Sequence, residues 1–299
     1  MSKTNTYQLT WQLAAKAKLR DYAQLTKMRL SSLVVFSAVM AYVFVLEGSI
    51  QWMNVILLGL AGWMVTAASN TINQVIEKKE DRLMDRTNDR PLATKRMSTY
   101  EAVLLAGVLG TAGIAILGFH FNPLSGLLGA LALISYAFIY TPFKKISAAA
   151  VFVGAVPGAM PLLIGCTAAT GELSLIAFTL FGIQFIWQMP HFWSIAWLMN
   201  HDYAKADYRL LPANGEKDRA SAYHNIPYLL LLILAGATPF ILGVSGIVSL
   251  IVISLAGLYF LKCGIQLVID LSDKSAKKLM FASFIYIPVT LIALVADKI

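Results

Sequence analysis

Long apolar runs recur along the whole chain and constrain the fold more than any other feature. One of them, WMNVILLGLAGWMVTAAS, extends from Trp52 to Ser69 without a charged residue. A membrane-spanning helix needs about 18 or more such residues in succession. Only 13% of all residues are charged, whereas a soluble domain has roughly 25%. The sequence therefore predicts an all-α, polytopic membrane protein.

Nine transmembrane helices are predicted to surround a central cavity. The predicted spans cover residues 30–46, 52–72, 101–119, 123–140, 147–168, 174–200, 226–243, 246–263 and 279–296. Every Lys and Arg except Lys298 lies in the N-terminal segment or in or beside every second connection. Because basic residues accumulate on the cytoplasmic side of a membrane, the pattern predicts a cytoplasmic N-terminus.

The chain is predicted to form a single domain over residues 1–299, with residues 1–26 as a cytoplasmic arm. This arm lacks a short apolar core before a small-residue cleavage site, so a removable signal peptide is not expected. Cys166 and Cys263 have no metal-type spacing and are expected to be small buried side chains. The net charge of +8 is attributed to residues that face anionic lipid, so nucleic acid is not an expected partner.

An acidic motif follows the second predicted span, in the stretch NQVIEKKEDRLMDRTNDRP from Asn73 to Pro91. If the helix continues, Asn73, Glu77 and Asp81 occur at every fourth position and share one helix face. Two carboxylates and an amide oxygen suit Mg²⁺, which binds a few carboxylates together with phosphate oxygens. The alternative is a solvated helix end whose acids pair with the neighbouring lysines and arginine.

Basic residues near this motif favour a diphosphate site over a solvated helix end. Arg86 and Arg90 follow the acids directly, and Lys144 and Lys145 stand in the fourth connection, at the same side of the membrane. Arginine side chains form paired hydrogen bonds with phosphate oxygens. The two lysines are equally compatible with ordinary positive-inside residues, and both interpretations stay open.

A polar stripe runs along the sixth predicted span. Gln184, Gln188 and His191 share one helical face, and Asp202 lies five turns beyond Gln184 if the helix is unbroken. Polar residues deep in a membrane helix face the bundle interior or a wet cavity. The stripe therefore predicts a helix that lines a pocket, with Asp202 at its cytoplasmic mouth. For His191, a hydrogen bond between helices and substrate contact are equally compatible with the sequence.

The motifs together resemble a known family. The acidic motif with the following RT and RPL residues is similar to the first motif of the UbiA superfamily of intramembrane prenyltransferases. The segments YTPFKK and QMPHFWSIAWLMNHDYAKADYRLLP resemble one branch of it, whose members farnesylate haem. Two departures are Glu77, where relatives often have Asp, and the pair His201-Asp202, which leaves Asp202 as the main acid of the second motif.

The resemblance implies an enzyme that transfers a farnesyl group from farnesyl diphosphate to a vinyl group of haem B, giving haem O. It implies Mg²⁺ on Asn73, Glu77, Asp81 and Asp202, with the diphosphate bound by the two arginines and two lysines named above. The stripe residues would contact haem or line the cavity. The expected location is the bacterial cytoplasmic membrane, with the active site facing the cytoplasm. Partners in the haem pathway or in oxidase assembly are possible in addition to membrane lipid.

Three other functions are compatible with parts of the sequence. A prenyltransferase of the same superfamily that acts on an aromatic quinone precursor is the nearest alternative. A secondary transporter also places polar residues at mid-membrane, but it need not collect acids and arginines at one mouth. A structural subunit of an oxidase complex would have no use for the acidic face.

Overall fold

The computed structural model describes residues 3–213 and 215–299. Their regular structure is helical except for one isolated bridge between Ser245 and Lys298. The helices are α1 Lys3–Leu25, α2 Met28–Val45, α3 Trp52–Ile76, α4 Thr99–Ala115, α5 Pro123–Ile134, α6 Thr141–Phe143, α7 Ala150–Thr170, α8 Leu175–Leu198, α9 Asn200–Ala204, α10 Arg219–Tyr223, α11 Asn225–Ile241, α12 Ile247–Asp270 and α13 Asp273–Ala296. Two π-helical segments, Ile116–Phe121 and Ser135–Tyr140, continue α4 and α5. The all-α prediction is confirmed.

Within the described residues, eight helical segments are long and apolar enough to cross a membrane. They correspond to the second to ninth predicted spans. The first predicted span, 30–46, falls on α2, whose apolar part, Ser31–Val45, is shorter than the others. At about 1.5 Å per residue, this part is shorter than the roughly 30 Å hydrocarbon core. The count of nine spans and the cytoplasmic N-terminus therefore remain predictions.

The central cavity is lined by α2, α3, α7, α8 and α13, together with α5 and the two π-helical segments. α2 packs against α3 and α7, α7 against α8, and α8 against α13, which returns to α2. The approach of α2 and α7 is close because Gly165 has no side chain. A Cβ atom at this position would overlap the carbonyl oxygen of Ala38. Small residues allow such close backbone contact between membrane helices.

The connection between α3 and α4 is folded onto α1. Leu25 packs in a small buried cluster with Leu92 and Met97, and its carbonyl accepts a 2.7 Å hydrogen bond from Nε2 of Gln74. Nε of Arg96 donates to Asp21 over 3.0 Å. These contacts hold the motif-bearing connection against the end of the bundle.

Cys166 and Cys263 are both buried and free, as expected.

Candidate functional site at the charged mouth of the cavity

The first acidic motif leaves the helix earlier than predicted. α3 ends at Ile76, Glu77 caps it, and Asp81 lies in the turns that follow. The backbone N–H of Asp81 still donates to the carbonyl of Glu77 over 2.8 Å, so local helical spacing persists. Oγ1 of Thr87 donates to the Asp81 carbonyl over 3.0 Å. A side chain that takes a backbone acceptor in this way favours turns over a continued helix.

Glu77 is the centre of the site and is 5% exposed. Its Oε1 accepts hydrogen bonds from Nζ of Lys144 at 2.7 Å and from the Tyr208 hydroxyl at 3.0 Å. Its Oε2 accepts one from Nδ2 of Asn73 at 2.9 Å. Burial opposes ionisation of Glu77, but the Lys144 ammonium outweighs burial and lowers the pKa of the carboxyl. Burial also opposes the charge on Lys144, yet the Glu77 carboxylate raises its pKa. Both groups are therefore charged.

Asp81 forms the second buried ion pair of the mouth. Nη1 of Arg90 donates to both carboxylate oxygens of Asp81, at 2.7 and 2.9 Å. The Asp81 side chain is 1% exposed and that of Arg90 13%. Burial raises the pKa of Asp81, and the Arg90 charge opposes the rise. Each of the two buried acids of the motif therefore forms an ion pair with one basic side chain.

The remaining predicted diphosphate residues are more exposed. The Arg86 side chain is exposed, and Lys145, also exposed, pairs with Glu80 at the rim. Lys27 was not predicted from the sequence, yet it lies among the charges of Arg90, Lys144 and Glu77 at the start of α2. Burial and the positive charges of Arg90, Lys144 and Arg86 lower the pKa of Lys27 to about 7.

The condition of an unbroken helix from Gln184 to Asp202 is not met. α8 ends at Leu198, and Asp202 lies on the short helix α9. Its carboxylate accepts hydrogen bonds from the backbone N–H groups of Asp85 at 2.7 Å and Arg86 at 3.2 Å. Partial burial opposes its charge, but these N–H groups and Lys205 lower the pKa of Asp202. The two acidic motifs therefore meet, with Asp202 bound to the backbone of the first.

Two other acids lie near the mouth. The backbone N–H of Asp85 donates to Asp202, and the Asp85 side chain accepts a hydrogen bond from Lys205. Asp207 is exposed and has no ion pair with any residue that the structure describes.

An apolar cavity of about 260 Å³ lies beneath the mouth. Its wall includes Tyr140, over whose ring the Lys144 ammonium sits at 4.7 Å from the centroid. Gln184, Gln188 and His191 all line the cavity. Nε2 of Gln188 donates to the Ala155 carbonyl of α7 over 2.9 Å, whereas Oε1 of Gln184 is buried without a partner among the described residues.

The oxygen donors at the mouth fit a hard divalent cation that arrives with a phosphate. Nδ2 of Asn73 donates to Glu77 and to Thr141, so its Oδ1 is directed elsewhere and receives no hydrogen bond from described residues. Glu77 and Asp81 add two carboxylates. In the described part of the chain, no three His, Cys, Asp or Glu side chains form a preassembled metal cluster. Mg²⁺ needs only one or two carboxylates when phosphate oxygens complete its shell.

Tyr208, Thr141 and Lys27 are the site residues that sequence reasoning missed. Tyr208 and Glu77 are separated by 131 positions, and Thr141 and Asn73 by 68. No spacing rule connects residues so far apart. The motif segments YTPFKK and ADYRLLP contained two of the three, but nothing in them assigned a role to a hydroxyl group.

The fold and site define a class of protein, namely an integral membrane protein whose apolar chamber opens beneath a mouth of paired acids and bases. Residues 34–286 match the UbiA prenyltransferase family. The chain belongs to this family.

Individual proteins support the same assignment. The chain is 40% identical over 283 residues to a protoheme IX farnesyltransferase of Cytophaga hutchinsonii, covering 95% of this chain and 99% of the relative. A solved structure from work on digeranylgeranylglyceryl phosphate synthase superposes with a TM-score of 0.78 at 18% identity, covering 94% and 98% of the two chains. A UbiA homologue from Archaeoglobus fulgidus, solved with GPP and Mg²⁺, gives a TM-score of 0.66 at 15% identity and covers 92% and 99%. These two structures are similar in fold.

Proposed function

We propose that the protein transfers the farnesyl group of farnesyl diphosphate to a vinyl group of haem B, giving haem O and diphosphate. The observation that carries the proposal is a mouth of paired charges directly above an apolar cavity. The name of the Cytophaga relative supports haem as the acceptor. An amphiphilic donor with an anionic head and an isoprenoid tail matches this division of the site.

The diphosphate is bound by positive charge that the protein already holds in place. Lys144 and Arg90 are fixed by Glu77 and Asp81, so little side-chain entropy is lost when they bind an anion. Lys27 lies beside them and gains a favourable counter-charge when the diphosphate binds. Arg86 and Lys145 at the rim attract the anion from solution, although contacts at this exposure are weak.

The residues at the mouth also bind the metal in this proposal. Asn73, Glu77 and Asp81 would hold Mg²⁺, which supplies charge neutralisation to the departing diphosphate. Tyr208 fixes the orientation of Glu77 through its hydroxyl. Asp202 keeps the first motif in position through the backbone of Asp85 and Arg86, and we propose it as a supporting ligand. The homologue solved with Mg²⁺ and GPP supports this choice of metal.

The chemistry after diphosphate departure needs an environment with little water. The C–O bond of the donor breaks and leaves an allylic cation, and the vinyl carbon of haem supplies the electron pair for the new C–C bond. The cation that forms next to the porphyrin ring adds water and loses a proton. The cavity wall is mostly apolar, so it protects the first cation from early capture by water.

The proposed location is the bacterial cytoplasmic membrane, with the mouth facing the cytoplasm. The basic residues of the α3–α4 connection lie at the same end of the bundle as Lys144 and Lys145. This accumulation supports the orientation under the positive-inside rule. Partners in the haem pathway or in oxidase assembly could deliver and remove haem.

The test is mass spectrometry of the products made by purified protein from haem B, farnesyl diphosphate and Mg²⁺. Wild-type protein is expected to make haem O. Asp81→Asn removes one charge without changing shape and is expected to reduce turnover by about 10²-fold. Asp89→Asn is the matched control, because Asp89 lies in the same connection, pairs with Arg96 and is exposed. A parallel reaction replaces haem B with an aromatic acid. Farnesylation of that acid, together with no haem O in the first reaction, would overturn the proposal in favour of quinone-precursor chemistry.

A further inference from the structure

We infer that His191 binds the iron of the haem substrate axially through Nε2. The inference rests on the proposed function, since it takes haem as the acceptor. It concerns how the acceptor is held, and it starts from the hydrogen bonds of one imidazole ring in the cavity wall.

The proton positions follow from the partner of His191. Nδ1 of His191 lies 2.8 Å from Oγ of Ser283 on α13. The hydroxyl of Ser283 donates its only proton to the Met280 carbonyl, 2.5 Å away. We assign the donor role in the His191–Ser283 hydrogen bond to Nδ1 of His191, because the Ser283 hydroxyl then keeps its proton on the Met280 carbonyl. The neutral ring then carries no proton on Nε2, whose lone pair is free.

The ring is also fixed in orientation. The indole of Trp187 stacks on it at 4.6 Å between centroids and an interplanar angle of 14°. Nε1 of Trp187 donates to the backbone carbonyl of Ser283 over 2.9 Å. Phe284 contacts the ring edge-on at 5.3 Å. Ser283 therefore anchors both the imidazole and the indole that covers one of its faces.

Nε2 is the ring nitrogen of His191 that has no hydrogen-bond partner among the described residues. His191 lines the cavity and is 9% exposed, and no described residue donates to Nε2. A histidine that ligates a metal typically donates its other ring N–H to a neighbouring acceptor, which fixes the tautomer. His191 and Ser283 have this arrangement before any metal is bound.

Two other roles for His191 account for less of the geometry. A hydrogen bond that only locks α8 against α13 explains Nδ1 but leaves Nε2 unpaired, which costs free energy in an apolar site. Contact of a neutral His191 with a haem propionate needs a proton on Nε2, whereas the tautomer assigned above has its proton on Nδ1. Iron accepts a lone pair, so axial ligation by Nε2 needs no change in the protonation of the ring.

The position of His191 suits an acceptor bound below the mouth. It lies about two turns of α8 before the helix end at Leu198. Haem held there would lie within the apolar cavity, while the diphosphate group occupies the charged mouth. The two substrates then approach the reaction from different ends of the same chamber.

The experiment compares iron-containing and metal-free porphyrin on the purified full-length protein. Ferric haem B and protoporphyrin IX are titrated separately into wild-type protein and into His191→Ala. We expect the variant to lose haem affinity by at least about tenfold, with a shifted Soret band, and to bind protoporphyrin IX as wild type does. Unchanged binding of the metal-free ring also shows that the variant is folded.

Further variants sharpen the result. Ser283→Ala keeps the imidazole but removes its support, and a weaker shift in the same direction is expected. Adding imidazole to His191→Gly is expected to restore the wild-type Soret band. His120→Ala is the control, because His120 binds Asn54 and does not line the cavity. Its haem spectrum should match wild type.

Two results would overturn the inference. One is an unchanged haem spectrum and affinity in His191→Ala, and the other is an equal loss of affinity for haem and protoporphyrin IX. Turnover is measured on the same wild-type preparation. If haem O is produced and either result is found, His191 is not the iron ligand but the proposed function is retained. Iron ligation by His191 without any farnesylated product leaves the ligand standing and removes the function.

Discussion

At the scale of single residues, the mouth is built from buried acids that each hold one base. Burying an isolated charge is costly, and a buried pair is stable only while both partners are present. Glu77 has Lys144, and Asp81 has Arg90. In the proposed function, the same pairs also keep two cations in place for an anionic substrate. Stability and substrate binding would then depend on the same side chains.

The neighbouring residues Lys144 and Lys145 provide a direct test of this dependence. Lys144→Met leaves the buried Glu77 carboxylate without its hydrogen-bonded counter-charge, and we expect the free energy of unfolding to fall by about 3 kcal/mol. Lys145 is 53% exposed and pairs with Glu80, so Lys145→Met should change stability by less than about 1 kcal/mol. Chemical unfolding in detergent measures both. Equal effects of the two substitutions would contradict the assignment of Lys144 to the buried pair.

At the scale of helices, the site depends on where two helices stop. α3 ends at Ile76 and α8 at Leu198, each before an acidic motif. The turns that follow direct Asp81 toward Arg90 and Asp202 toward the α3–α4 connection. A continued helix would have kept these acids on separate helix surfaces. Side-chain contacts with backbone groups, such as Thr87 with Asp81, stabilise the turns instead.

The contact between α2 and α7 is the helix packing most sensitive to substitution. In Gly165→Ala, the new methyl group would overlap the Ala38 carbonyl, and a backbone group cannot swing away as a side chain can. We expect a loss of about 1–3 kcal/mol, measured as a lower melting temperature in detergent. Gly107→Ala on α4 is the control, since nothing lies within 4 Å of the new atom. A stable Gly165→Ala protein would show that α2 and α7 can separate freely.

At the scale of the whole molecule, contacts across the mouth join the two parts of the bundle. Asp202, after α8, binds the backbone of Asp85 and Arg86, after α3. Lys205 binds Asp85 as well. Tyr208 reaches Glu77 from the same segment. These contacts close the connections at this end of the bundle over the cavity.

Loss of Asp202 is expected to loosen this closure. Asp202→Ala removes the acceptors of two backbone N–H groups, so the connection from residue 77 to residue 97 should open more often. We expect trypsin to cleave this connection severalfold faster than in wild type. Asp207→Asn is the control, because Asp207 is exposed in the same segment and has no ion pair with any described residue. Asn also tolerates the positive φ of this position. Equal cleavage rates in the two variants would show that Asp202 does not hold the connection closed.

The sequence by itself determined the helical membrane class, the family and the positions of its two polar motifs. These depend on apolar run length and on charge along the chain, which are local properties. The regular spacing of Gln184, Gln188 and His191 was enough to place them on one cavity-facing stripe, because all three lie within α8.

Only the tertiary structure decided which acid meets which base. The pairing of Asp81 with Arg90 inside one connection, of Glu77 with Lys144 and Tyr208, and of His191 with Ser283 could not be read from spacing. Helix ends are set by small differences in backbone hydrogen bonding, and partners tens of positions apart are brought together by the packing of whole helices. Both depend on contacts that exist only once the bundle is formed.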